Sequence, residues 1–519
     1  MSINGLGFIL FLVAAVFVYY LVPCSARWIV LLIASVIFYL SYTPAAIYLL
    51  ITVVATYFFA LWLEKMRAYR PNAQTREEKL LQKKRNEKRK RAVLAAALVF
   101  DFSFLVVLKY FGFLTNLSNR IFSTVFPIPS FILPLGISFY VFQTAGYLID
   151  IYRGKYGVQH NLAKYALFVC FFPQMLMGPI NRYNTMVKQL FAGNDFNWSN
   201  IQHGFYRIMF GVLKKALIAD PLAPIVAQIY SNYCAYPGLI SFFGAAAYCL
   251  QLYCDFSGGI DVVCGASALF GVRMQENFCQ PYFATSLSDF WRRWHISLGE
   301  WMKDYLFYPL ALSKRMNKLA KAVRKHLPAD IAKRVVPCIT TFVVFLAVGI
   351  WQGPGMANVA YGIWNGFWMS VGLMWVPVGT KLDKRFSYRS HRKLMMIVGC
   401  LRTNLLVIIG RYFSNAETLT AALKMLKHTI IAPGITSFNL QIFTELGLDW
   451  QILSPLCLAL TVMLVVSCAK EKQVDVTQRL CAQKWYIQFA ILFIGILVLV
   501  FCVYANNDYV PIAYVYENV

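Results

Sequence analysis

Few residues in this chain are suited to proton chemistry. There are six histidines. Five of them, His160, His203, His326, His391 and His428, fall in loops or amphipathic stretches and read as solvated. The sixth, His295, stands in "SDFWRRWHISLGEWMKDYLFYPL" (288–310). Read as a helix, that segment places Trp291, Trp294, Leu298, Trp301 and Tyr305 on one face, at spacings of three and four. Arg292, Arg293, Glu300, Lys303 and Asp304 lie off the stripe, as in a helix lying along a membrane interface with its tryptophans at headgroup depth. His295 follows Trp291 by one turn and borders the apolar face. An imidazole there, with an ordinary pKa of about 6.5, is able to take a proton at neutral pH. The plainer reading is a hydrogen-bonded histidine in an apolar wall.

Three other polar groups interrupt apolar sequence, where ionisable residues are costly. "QLYCDFSGGIDVV" (251–263) sets Asp255 and Asp261 on either side of Ser257–Gly258–Gly259. Carboxylates beside paired glycines predict an unwound segment with its backbone facing a cavity. Structural hydrogen bonding and a functional role both remain open for it. "FGVLKKALIADP" (210–221) holds Lys214, Lys215 and Asp220 and is expected to be a helix surfacing at the interface, its lysines snorkelling to water. "GIWQGPG" (349–355) closes the apolar run Val335–Ile350 on Trp351–Gln352–Gly353. An amide donates and accepts hydrogen bonds but has no accessible basic form.

The elements that must position these groups are membrane helices. Of 519 residues, 59% are hydrophobic and only 14% charged, with mean hydropathy +0.56. Soluble domains carry about 25% charged residues. Apolar segments fall at roughly 5–22, 28–44, 46–64, 93–115, 131–150, 162–178, 205–230, 238–257, 337–352, 357–376, 395–413, 451–469 and 485–504. Some are expected to be re-entrant or interfacial; "FFPQMLMGPI" has the Gly and Pro of a broken helix. The fold class is therefore all-α, a polytopic transmembrane helical bundle, taken as a single domain over 1–519. The N-terminal run has no positive charge before Arg27 and does not read as a cleaved signal.

The net charge of +26 follows the membrane rule rather than a nucleic-acid footprint. Lys and Arg gather in loops at 65–92 and 311–336 and at 381–393, whereas 432–450 has none. The basic loops are expected to be cytoplasmic, and both termini extracytoplasmic. The 65–92 run also suits anionic headgroups. The thirteen cysteines lie mostly in apolar segments without CxxC or Cys/His spacing. They read as small buried hydrophobes, with no metal site expected.

The block 253–310 resembles the membrane-bound O-acyltransferase family, in its bacterial branch of alginate O-acetylation and teichoic acid D-alanine transfer proteins. "LPLGISFYVFQTAGYLIDIYRGK" (133–155), "FFPQMLMGPINRY" (171–183), "LKKALIAD" (213–220) and "IIGRYFSNAETLTAALKML" (408–426) are similar to that branch in order and spacing. The resemblance implies a bundle with interfacial and re-entrant helices around a central funnel or tunnel, in a bacterial cell membrane. It implies acyl transfer, first acetyl and second D-alanyl, from an acyl-CoA or acyl-carrier-protein thioester toward an extracytoplasmic polysaccharide or cell-wall hydroxyl. It also implies a separate extracytoplasmic esterase-like partner and no bound cofactor.

Family chemistry uses two histidines, and the motif "WRRWHIS" maps the first onto His295. The second follows Trp in a Trp-His-Gly pattern, which reads Trp351–Gln352–Gly353 here, with Asn365–Gly366 further on in place of a His-Gly. Three readings follow. His295 is the base and Gln352 a positioning group; or the chain is a degenerate member that binds donor or partner without turnover; or a residue such as Tyr361 replaces the lost base. Asp255, Asp289, Trp294, Trp351 and Asn365 are the candidate substrate-binding residues. A transporter would also use intramembrane charges, but no inverted repeat is seen.

Overall fold

The computed structural model describes all residues except 1–4, 43–44, 72–74, 128–132, 176, 387–391, 435–438, 440, 502–511 and 516–519. His391 therefore lies outside the described residues, as does part of 432–450. The described chain is helical almost throughout and carries no strand, only an isolated antiparallel bridge between Phe278 and Trp294. Among the described residues seven helices are long and apolar enough to cross a bilayer, and two shorter apolar helices accompany them. The protein is an all-α polytopic membrane protein, as its periodicity predicts.

The chain divides into two compact units, one of residues 1–208, 263–275 and 516–519, the other of 209–262 and 276–515. The first contains α1 (Leu6–Leu21), α2 (Arg27–Tyr42), α3 (Ala46–Ala68), α4 (Arg76–Phe122) and α5 (Ile137–Arg153). The basic run 76–91 forms the first turns of α4, capped by Thr75, whose hydroxyl accepts the Glu78 N–H at 3.2 Å. Buried Asp101 of α4 accepts from Thr144 of α5 at 2.6 Å.

The second unit carries the residues singled out above. Its elements are the end of α6 (Trp198–Lys214), α7 (Asp220–Ser231), α8 (Gly238–Ala268), α9 (Leu287–Arg293) and α10 (Ile296–Met302). They continue with α11 (Lys314–His326), α12 (Ala329–Gln352), α13 (Met356–Phe386), α14 (Arg392–Asn415), α15 (Trp450–Glu471) and α16 (Trp485–Leu499). A wide turn, Lys215–Ala219, joins α6 to α7 with π-type hydrogen bonding. Helix α12 stops where Gly353–Pro354–Gly355 cannot continue it, so Gln352 is its last residue.

Two expectations are corrected here. The Ser257–Gly258–Gly259 stretch is not unwound; α8 runs through it without a break. The glycines serve close helix packing instead. A Cβ on Gly258 would lie 2.7 Å from the carbonyl oxygen of Gly211 on α6, and a Cβ on Gly211 would meet the Gly258 carbonyl in turn. Small residues at a crossing let backbones approach, the usual way membrane helices pack. Nor do Lys214 and Lys215 snorkel: both are buried, because the glycine crossing carries them onto the carboxylates of α8.

Gly258→Leu is therefore expected to separate α6 from α8 and destabilise the protein by more than the 1–3 kcal/mol typical of core overpacking, about 3 kcal/mol or greater. Thermal unfolding of the purified protein in detergent checks it. A melting temperature equal to wild type would show that the crossing is not close.

Candidate active site

His295 is 3% exposed. The segment around it is not the single helix that its stripe of apolar residues predicts. Helix α9 ends at Arg293, Trp294 is extended, and His295 takes a left-handed backbone conformation (φ +48°) before α10 begins. The reason is a competing backbone partner. Cys279 N–H donates to the Arg293 carbonyl at 3.0 Å, and Ile296 N–H donates to the Asn277 carbonyl at 3.0 Å. Segment 277–279 thus takes hydrogen bonds that a continuous helix would have made within itself. Left-handed backbone at a non-glycine residue is costly and is found where the surroundings over-determine it.

Asn277 is the residue that completes this turn. It is fully buried, and its Oδ1 accepts the Ser297 N–H at 3.0 Å and the Ser297 hydroxyl at 2.9 Å. The same oxygen lies 3.3 Å from His295 Nδ1. An oxygen already accepting two hydrogen bonds requires a donor from the ring, so Nδ1 carries the proton and Nε2 carries the lone pair. Burial then holds the imidazole neutral, depressing its pKa to about 3. The ring packs edge-on against Phe256 of α8, with centroids 4.8 Å apart, and lies 6.4 Å from the ring of Trp351.

Asn277→Asp is expected to raise the His295 pKa toward its ordinary value, because a carboxylate in hydrogen-bond contact favours the imidazolium. Nitrogen-15 NMR of labelled histidine reads the titration. An unchanged pKa would break the link between Asn277 and the tautomer.

The structure brings three of the remaining sequence candidates near this turn. Trp294 is buried among Tyr253, Phe278, Tyr282 and Phe290, nearly parallel to the Phe290 ring. Trp351, next to Gln352 at the end of α12, forms the wall across from His295. Asn365 of α13 is buried, accepts from Trp291 Nε1 at 3.2 Å and donates to the Tyr361 carbonyl at 2.9 Å. It ties α13 to α9.

Two others are engaged elsewhere. Asp289 pairs with Arg292 at 2.9 Å and Arg293 at 3.1 Å, while Arg293 also reaches Glu471 at 2.6 Å. Asp255 lies in a buried ion network. Lys215 Nζ meets Asp255 at 2.6 Å and Asp220 at 2.8 Å, and Lys214 meets Asp261 at 2.7 Å and Ser257 at 3.2 Å. The Val515 N–H donates to Asp255 at 2.9 Å, and the Tyr514 ring lies under the Lys215 ammonium at 4.7 Å.

Asn277 and Ser297 carry no local signal of their role, since neither shows it in periodicity or composition. The lysine–aspartate pairs were visible as isolated charges in apolar sequence, but their pairing was not.

The chain is similar to several named proteins along much of its length. A sequence profile of the membrane-bound O-acyltransferase family matches residues 154–324. The probable alginate O-acetylase of Azotobacter vinelandii is 30% identical over 420 residues, covering 80% of this chain and 75% of that protein. The probable alginate O-acetylase of Pseudomonas aeruginosa is 32% identical over 336 residues, 64% of this chain and 59% of that protein's length. The peptidoglycan O-acetyltransferase of Helicobacter pylori is 29% identical over 440 residues, with 80% and 75% covered. With a buried histidine turn in an all-helical membrane bundle, and an identity that runs far beyond that turn, the chain belongs to the membrane-bound O-acyltransferase family.

Proposed function

We propose that this protein moves an acyl group, acetyl, from a cytoplasmic thioester donor toward a hydroxyl of an extracytoplasmic polysaccharide or cell-wall polymer. The single observation that carries the reading is His295 itself: buried, neutral, and held by Asn277 with Nε2 as its basic nitrogen. The relatives named for alginate and peptidoglycan acetylation support acetyl as the group.

In the proposed step, Nε2 takes the proton of the acceptor hydroxyl as its oxygen attacks the thioester carbonyl. The carbon–sulfur bond then breaks, and the imidazolium returns the proton to the departing thiolate. Burial that makes the resting imidazole a weak base also favours return of the proton. Gln352 supplies an amide beside Trp351, suited to orient the hydroxyl or to donate to the oxyanion, and unable to act as a base.

The donor is a coenzyme A ester or an acyl-carrier protein, and the basic stretches 65–92 and 311–336 suit either anionic molecule. Their charge supports a cytoplasmic side for them in a bacterial cell, with the termini on the opposite side of the membrane. An extracytoplasmic esterase-like protein is the expected partner that receives or relays the group.

Purified protein incubated with acetyl-labelled coenzyme A and polymer tests the reading. Gln352→His is expected to retain or raise turnover, because it restores a second ionisable group at the end of α12. Loss of activity in that variant at normal abundance would count against Gln352 occupying the position of the lost base. Absence of transfer by wild type, with transfer by Gln352→His, would assign the natural chain a binding role instead.

A further inference from the structure

The hairpin between α15 and α16 has no part in the acyl-transfer reading. Helix α15 ends at Glu471, and Gln473 then takes a left-handed backbone conformation (φ +61°) that turns the chain. A short helix, Val476–Cys481, follows before α16 starts at Trp485. Both of its ends are held. Asp475 Oδ1 accepts the Gln478 N–H at 2.9 Å. Gln488 of α16 reaches back with Nε2 to the Cys481 carbonyl at 2.9 Å and the Gln483 carbonyl at 2.8 Å. These bonds fix the short helix beside the ends of α15 and α16.

A groove of about 390 Å³ opens there. Ala469 of α15, Leu480 of the short helix, and Ile487 and Ile491 of α16 stand in its apolar wall, and Arg479 and Gln483 bring polar groups to it. Gln483 Nε2 already donates to the Arg479 carbonyl at 3.2 Å, so the guanidinium is the group left for a ligand. Arg479 is exposed. The two carboxylates nearest in sequence are engaged, Asp475 as the helix cap and Glu471 with Arg293 at 2.6 Å. Lys470, Lys472 and Lys484 add positive charge to the same hairpin. Its depth in the bilayer follows from the first turn of α16, where Trp485 and Tyr486 are 78% and 50% exposed. Exposed aromatic rings at the end of an apolar helix sit at headgroup level. The groove therefore runs from the phosphate layer toward hydrocarbon.

We infer that this groove binds an anionic phospholipid, one acyl chain lying along the apolar wall and the phosphate resting on Arg479. An apolar wall that ends in a cation, at the depth where phosphates sit, complements such a lipid in both of its parts. The planar guanidinium matches phosphate in charge and in hydrogen-bond geometry, and its stem covers apolar surface while the charged head stays at the interface. The site stands independently of the acyl-transfer reading.

The test is photolabelling of the full-length protein in phosphatidylcholine nanodiscs. The probes are phosphatidylglycerol and phosphatidylcholine, each with the same diazirine in its acyl chain, and mass spectrometry maps the labelled peptides. Residues 469–491 are expected to take the phosphatidylglycerol probe about 5-fold more than the phosphatidylcholine probe, the worth of one cation near an anionic headgroup. Residues 458–465, which include the exposed Leu458, Val462 and Val465 of α15, serve as the internal reference for ordinary lipid contact and should show no preference. Arg479→Gln is expected to erase the preference at 469–491, and Arg479→Lys to retain part of it. Ala469→Phe, which fills the groove from α15 and leaves Arg479 intact, is expected to lower labelling by both probes there. Equal labelling of 469–491 by the two probes in wild type would overturn the proposal. So would a preference that survives Arg479→Gln, or labelling undiminished in Ala469→Phe, which decides the matter even if one variant fails to fold. No labelling of 469–491 by either probe would overturn it too, and would leave the groove to a protein partner.

Discussion

His295→Gln is expected to lower acyl transfer by about 10²–10⁴-fold, the usual worth of a general base, with the protein still accumulating in the membrane. The glutamine amide is able to keep a hydrogen bond to Asn277 Oδ1, so the turn that joins α9 to α10 survives while the basic nitrogen is lost. His295→Ala removes both and serves as the harsher comparison. The measurement is transfer of labelled acetyl from coenzyme A or a carrier protein to the polymer. Turnover unchanged in His295→Gln would show that His295 is a structural hydrogen-bonder only.

The same variant tests how His295 contributes to stability. Its folded pKa is depressed to about 3 by burial, below the ordinary value of about 6.5. The unfolded chain therefore binds the proton more readily. Stability from this residue is present above about pH 6.5 and is lost progressively as pH falls from there toward 3. His295→Gln should flatten that part of the stability curve. A curve of the same shape in both proteins would mean that the acid sensitivity lies elsewhere.

Lys215→Met is expected to be the most destabilising single change in the second unit, by about 3–5 kcal/mol, the cost of leaving buried charge without its partner. The ammonium lies between Asp255 and Asp220, each buried and within 2.8 Å of it. Its removal leaves two carboxylates facing each other, away from water. Asp255→Asn added to Lys215→Met removes one of those charges and should recover part of the loss. As a control, Lys333→Met breaks an exposed pair with Asp330 and should have no measurable effect. Thermal unfolding in detergent, with the yield of folded protein, distinguishes these outcomes. A Lys215→Met protein that melts with wild type would show that the network is hydrated rather than buried.

Much about this protein follows from its sequence alone. Long apolar runs with few charges demand helices in a membrane, because nothing else satisfies the backbone there. The block 253–310 places the chain in its family, and one histidine bordering an apolar face stands out as the candidate for proton transfer. These are local properties, carried by neighbouring residues or by motif.

Tertiary structure decided the rest. Residues 288–310 have helical periodicity throughout, yet the helix breaks at His295, because hydrogen bonds to 277–279 outcompete those within the segment. Ser257–Gly258–Gly259 looked like a place to unwind, yet the glycines are where α6 presses on α8. Lys214 and Lys215 had the spacing of an interface and are instead buried against carboxylates some forty residues along the chain. Periodicity reports which face of a helix is apolar. It does not report which polar atom from a distant segment stands opposite, and that partner sets the tautomer of His295 and the burial of the lysines.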